Sequence, residues 1–136
     1  MAEDTVVVLK EQLTDEMVEA GAQLTQKLVD MGLPISVAMW FFVTESNQWR
    51  LLFASPLDTE GPLAVYTKIQ EAQKALGPDA KQVPFTSIGL RQTNERLVKA
   101  LQSKVPTGTG LARVRLCGNA IDGHYIDDAL IYRSAA

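Results

Sequence analysis

Histidine and cysteine are nearly missing from this chain: His124 and Cys117 are the only ones among 136 residues. A single cysteine cannot close a disulfide within the chain. One residue of each type cannot supply the ligand set of a structural zinc site. No Gly-x-Ser-x-Gly elbow and no dinucleotide-binding glycine fingerprint occurs. Pro106-Thr107-Gly108-Thr109-Gly110 resembles a phosphate loop only in its glycines, because it lacks the lysine and the following helix. No apolar run approaches the roughly 20 residues of a membrane-spanning helix. The opening stretch, MAEDTVVVLKE, is acidic where a secretory signal is basic. These absences lead to the expectation of a cytoplasmic protein without a membrane partner. Nothing in the sequence asks for a cofactor or a metal ion.

What is present is ordinary for a globular domain: 46% apolar and 21% charged residues. The length suits one domain over 1–136, with residues 1–12 as a flexible or edge-strand lead-in. The net charge of −3 is unevenly spread. Residues 1–80 carry 5 basic and 12 acidic side chains, and residues 81–136 carry 8 and 4. That basic half would suit an anionic partner, but its charges are dispersed and few aromatics lie among them. Nucleic acid is therefore disfavoured.

The organising stretch is Ile35 to Ser55, two apolar runs around Glu45-Ser46-Asn47-Gln48. It predicts an antiparallel hairpin covered on both faces, with Phe42 opposite Leu51 and Trp40 opposite Phe53. Before it, Thr14 caps a helix whose stripe is Met17, Gly21, Leu24, Leu28 and Met31, ended by Gly32 and Pro34. After it, Pro62 starts a second helix, with Gly61 or Thr59 as cap and Leu63, Tyr66, Ile69 and Leu76 facing inward. Val83–Leu90 reads as a short strand. A third helix is expected from about Asn94 to Ser103, capped by Thr93 or Asn94, with Leu97, Val98, Leu101 and Val105 facing the core. Asp122-Gly123 marks a tight hairpin turn that pairs Ile121 with His124, Cys117 with Asp128 and Arg115 with Leu130. Cys117 is expected there as a small buried hydrophobe. Val114, Leu116, Tyr125, Ala129 and Ile131 are expected on its core face. The fold class is α+β: a single mixed sheet of about five strands, two antiparallel hairpins linked by helix crossovers, with three helices packed on it.

Two places could carry chemistry. His124 and Asp128 share a strand face with arginines opposite, and a histidine–carboxylate pair could serve a small hydrolase. They lie four residues and roughly 13 Å apart on a strand, and an Arg115–Asp128 ion pair explains the carboxylate more simply. Arg91, Gln92, Thr93 and Asn94 lie where the third strand meets a helix start, a setting that favours an anion. If the second and third strands are parallel neighbours, Ser55 and Asp58 end at the same edge, where open sheets place ligands.

The pattern WFFVTESNQWRLLFASPLDTEGPLAVYTKIQEA, with the later RVRLCGNAIDGHYIDDALIYR, resembles a group of small uncharacterised bacterial proteins, over most of residues 35–133. The resemblance implies a stand-alone bacterial cytosolic domain and brings no activity, cofactor or catalytic residue. The expectation from the sequence is a non-catalytic binding or protein-interaction module, acting with a protein partner or as a homodimer through Ile126, Leu130 and Tyr132. The alternatives are a small hydrolase or phosphate-ester enzyme using Asp128 and His124 or the Arg91 region, and weak nucleic-acid binding through Arg91, Arg96, Lys99, Lys104, Arg113 and Arg115. Whether the protein is catalytic stays open at this level.

Overall fold

The computed structural model describes residues 9–57, 61–108 and 110–135. The expectations for Asp58, Thr59, Thr109 and residues 1–8 lie outside the described residues. Helix α1 spans Asp15–Asp30, and the Thr14 hydroxyl accepts from the Met17 N–H as its cap. Strands β1 (Val37–Val43) and β2 (Gln48–Ala54) form the central hairpin. Helix α2 (Pro62–Leu76) starts on Pro62 after Gly61 at φ +96° and stops at Gly77, φ +62°. Strand β3 is Ile88–Arg91, α3 is Arg96–Lys104, and β4 (Val114–Ile121) and β5 (His124–Ser134) close the second hairpin.

Among the described residues five strands make one mixed sheet in the order β3-β2-β1-β5-β4. Of these, β2 and β3 run parallel, and the other neighbours are antiparallel. The fold class expected from the sequence is therefore the observed one. Its two faces bury separate cores. Trp40, Phe42, Trp49, Leu51, Phe53, Leu130 and Tyr132 pack beneath α1 and α2. Val37, Met39, Leu52, Ala129 and Ile131 pack with Val98 and Leu101 of α3.

Several local expectations shift for identifiable reasons. In the first hairpin Phe42 faces Trp49 and Trp40 faces Leu51, a register two residues from the expected one. Asn47 takes the left-handed position (φ 54°) and ends the loop one residue early. A two-residue slip keeps every side chain on its expected face. Strand β3 starts at Ile88 instead of Val83, because Pro84 leads into a 3₁₀ turn over Phe85–Ser87. Helix α3 starts at Arg96 with Glu95 at the cap position, after a turn in which Glu95 N–H donates to Gln92 O. Leu63 and Tyr125, expected inside, are 77% and 67% exposed. Val65 takes the inner position of α2 in place of Leu63. The Asp122-Gly123 turn has both residues at positive φ, and the second hairpin pairs in the expected register. Cys117 is exposed on β4, the strand at the sheet's edge.

Helix α1 is locked to the sheet at Gly21. The Trp40 indole N–H lies 3.0 Å from Tyr132 Oη and 3.2 Å from Met17 O, and the Tyr132 hydroxyl donates to Val18 O at 2.5 Å. Burial pushes the Tyr132 hydroxyl's pKa well above its ordinary value, so it stays a donor. Residues 9–14 run without regular structure as a strap. Side chains of the sheet hold it: Asn47 Oδ1 accepts from Glu11 N–H, Asn47 Nδ2 donates to Leu9 O, and Trp49 Nε1 donates to Glu11 O.

Candidate functional site

Strands β2 and β3 pair Leu51 with Ile88 through Ala54 with Arg91, so both end at the same edge of the sheet. The Ser55 hydroxyl accepts from Leu57 N–H at 3.2 Å as the chain leaves that edge. The chain returns at Pro62, the first residue of α2, and Val65 enters one turn later. Between these elements lies a pocket of about 190 Å³. Phe53, Pro62, Val65 and Leu90 form apolar walls, and Ser55, Arg91 and Gln92 supply the polar atoms. Glu95 organises this polar side: its carboxylate accepts from Gln92 N–H at 2.8 Å and stands 3.7 Å from the Arg91 guanidinium. Arg91 and Glu95 side chains are 44% and 35% exposed. A pair at that distance and exposure holds the arginine weakly, so its charge remains available to a ligand.

Of the residues expected at this site, the structure brings Ser55, Arg91 and Gln92 to the pocket. Thr93 and Asn94 sit in the turn before α3 and are not part of its lining. The helix end beside the pocket belongs to α2 and not to α3. Phe53, Val65 and Leu90 were missed. The signal for Phe53 lay in the alternation with Ser55. Val65 required knowing that α2 returns over the same strand ends.

The His124–Asp128 pair is not assembled. Asp128 is 5% exposed and fully engaged. Arg115 grips it with Nε at 2.7 Å and Nη2 at 2.9 Å, Lys10 Nζ lies at 2.8 Å, and the Cys117 thiol at 3.4 Å. Burial alone would raise its carboxyl pKa, but the hydrogen bonds from Arg115, Lys10 and Cys117 outweigh it and hold the group far below the usual carboxylate range. A carboxylate so held neither takes nor gives a proton near neutral pH. Its work is structural, since the Lys10 ammonium that it fixes lies 4.6 Å from the Phe42 ring centre and 5.8 Å from that of Trp49. His124 stands at the turn end of β5, paired with Ile121.

The face expected to dimerise is also corrected. Ile126, Leu130 and Tyr132 are 0%, 6% and 0% exposed. Leu130 and Tyr132 belong to the core under α1 and Ile126 to the core with α3, so they offer no surface to a partner. Of the basic residues considered for nucleic acid, Arg113 pairs with Glu19 at 2.6 Å and Arg115 with Asp128. Among the described residues no helix is long and apolar enough to cross a membrane, and no group of three His, Cys, Asp or Glu gathers.

Comparison with protein-family models, curated proteins and solved structures returns no match.

Proposed function

We propose that the protein is a non-catalytic binding module that takes a small organic carboxylate in the pocket at the ends of β2 and β3. The observation that carries this is the pocket's make-up: four apolar walls and one arginine whose nearest carboxylate is 3.7 Å away. The apolar walls suit a short aliphatic or aromatic body, and Arg91 suits its carboxylate. At about 190 Å³ the pocket is smaller than drug-sized sites, which limits the ligand to a few heavy atoms. Among the described lining residues there is no histidine, carboxylate, lysine or thiol to act as base or nucleophile, and the Ser55 hydroxyl is engaged with Leu57. These features support binding over turnover. The resemblance noted above supports a bacterial cytoplasmic setting.

The test is thermal stability and calorimetry against a panel of short monocarboxylates, from butyrate to benzoate. At 100 times its dissociation constant a ligand adds about 2.7 kcal/mol, a rise of several degrees in Tm for a domain of this size. Val65→Phe, which fills the pocket, is expected to abolish the shift, and Arg91→Gln to weaken binding at least about tenfold. A panel with no hit, or a hit that survives Val65→Phe, overturns the reading.

A further inference from the structure

A second polar feature lies on the other side of Arg91. Helix α3 packs chiefly on β1, β5 and β4, and beside it the sheet surface of β2 and β3 opens into a groove of about 510 Å³. Arg50, Leu52, Gly89 and Arg91 line it, with Ser46 and Gln48 from the hairpin end. The strand register puts Arg50, Leu52, Gly89 and Arg91 on one face.

Arg50 is unusual in this setting. Its Nη2 donates to Ile88 O at 3.0 Å, whereas its Nε is buried and has no hydrogen-bond partner among the described residues. Among those residues no carboxylate lies within ion-pair distance of Arg50. A buried, unused N–H on a charged group is costly, and native structures rarely keep one without an acceptor. Its placement depends on a missing side chain. A Cβ at Gly89 would lie 3.2 Å from Arg50 Nη2 and 2.8 Å from Leu52 Cδ2, so the glycine is the slot in which the guanidinium lies flat on the sheet. Arg91 is the next residue on the same face of β3, roughly 7 Å along the strand. Two guanidinium groups with little internal neutralisation thus border one open groove, and the unpartnered Nε of Arg50 lies buried beneath its surface.

We propose that this groove binds a phosphoryl dianion, as inorganic phosphate or a small phosphate monoester, with Arg50 and Arg91 as its two cationic partners. Two fixed positive charges match a dianion. The planar guanidinium fork presents paired N–H groups to two oxygens of a tetrahedral anion. Ser46 and Gln48 line the same groove with further polar groups. The groove shares Arg91 with the carboxylate pocket, but Arg50 and Gly89 take no part there, so variants at these two positions test it separately from that reading.

The experiment is calorimetry and phosphorus NMR line broadening at low salt, with inorganic phosphate and with glycerol phosphate as probes. Binding in the millimolar range or tighter is expected, corresponding to roughly 4 kcal/mol or more. Binding of both probes assigns the site to the phosphoryl group itself; binding of the monoester alone assigns it to a phosphorylated small molecule. Arg50→Lys keeps the charge and loses the fork, and is expected to weaken binding at least about tenfold. Gly89→Ala keeps both arginines but displaces the Arg50 guanidinium, and is expected to weaken it comparably. Val65→Phe should leave phosphate binding unchanged, which separates this site from the neighbouring pocket. Thermal melts of each variant confirm that it is folded. Wild-type protein that binds neither probe, equal binding by Arg50→Lys and wild type, or binding confined to an oligonucleotide with no response to either probe, overturns the proposal.

Discussion

Replacing Gly21 by alanine is expected to destabilise the protein by about 2 to 3 kcal/mol, although alanine is the better helix former by up to about 1 kcal/mol. The new Cβ would lie 2.5 Å from Trp40 Nε1 and 2.6 Å from Tyr132 Oη. Neither atom can retreat easily. The indole is bonded to Met17 O, and the phenol to Val18 O, both on the helix that carries Gly21. Trp40 and Tyr132 are fully buried, so the helix must lift or the rings must leave their partners. Either change costs more than the gain in helix propensity. A Tm lower by roughly 6 to 12 °C is the expected result. Tyr132→Phe removes one of the two blocking atoms. In that background Gly21→Ala should therefore cost less, with a coupling of about 1 kcal/mol in a double-mutant cycle. A Tm that rises on Gly21→Ala would mean that the helix does not dock this closely.

Asp128→Asn has the second large expected effect, about 2 to 3 kcal/mol at neutral pH, just below the range for breaking a fully buried ion pair. The reduction follows from exposure: Lys10 and Arg115 side chains are 43% and 46% exposed and can turn toward water once released. The pH dependence has a definite sign. Because the folded carboxyl is held below its unfolded value near 4, its contribution is fully present above about pH 5 and is lost as pH falls further. Urea unfolding at pH 7, 4 and 2.5 should show the difference between wild type and Asp128→Asn shrinking with acid. Hydrogen exchange should show residues 9–13 opening more readily in the variant, since Lys10 is then released. A difference that does not change with pH would place the charge of Asp128 outside the stability of the fold.

The parts of this structure that were legible in the sequence are those that depend on local chemistry. Thr14, Pro62 and the Asp122-Gly123 turn each act through their immediate neighbours, and each was read in its correct role. The second hairpin's register followed, because a two-residue turn leaves no freedom. The first hairpin's register did not follow, because a four-residue loop can begin at Thr44 or Glu45. Asn47 settles the choice by bonding to the strap at Leu9 and Glu11, contacts 36 and 38 residues away in sequence. The same limit applies to the sites. Arg91 and Ser55 could be placed at one sheet edge from strand order alone. Arg50 could not be singled out, since what sets it apart is an unmet N–H and a glycine on the next strand. The buried state of Ile126, Leu130 and Tyr132 was also hidden. Alternation along β5 divides its residues into two sets, and only the helices show that both sets are covered.

The strand order has a consequence for synthesis. Strand β5 lies between β1 and β4, and it touches β1 across some 90 residues of chain. When the first hairpin, α1 and α2 have left the ribosome, β1 still has one edge unpaired and Tyr132 is missing from beneath α1. Nascent chains that stop before residue 124 should therefore keep Trp40 and Phe42 partly open and bind a hydrophobic dye or a chaperone. Chains extended through Ser134 should not. The fold is closed from its middle by the strand made last.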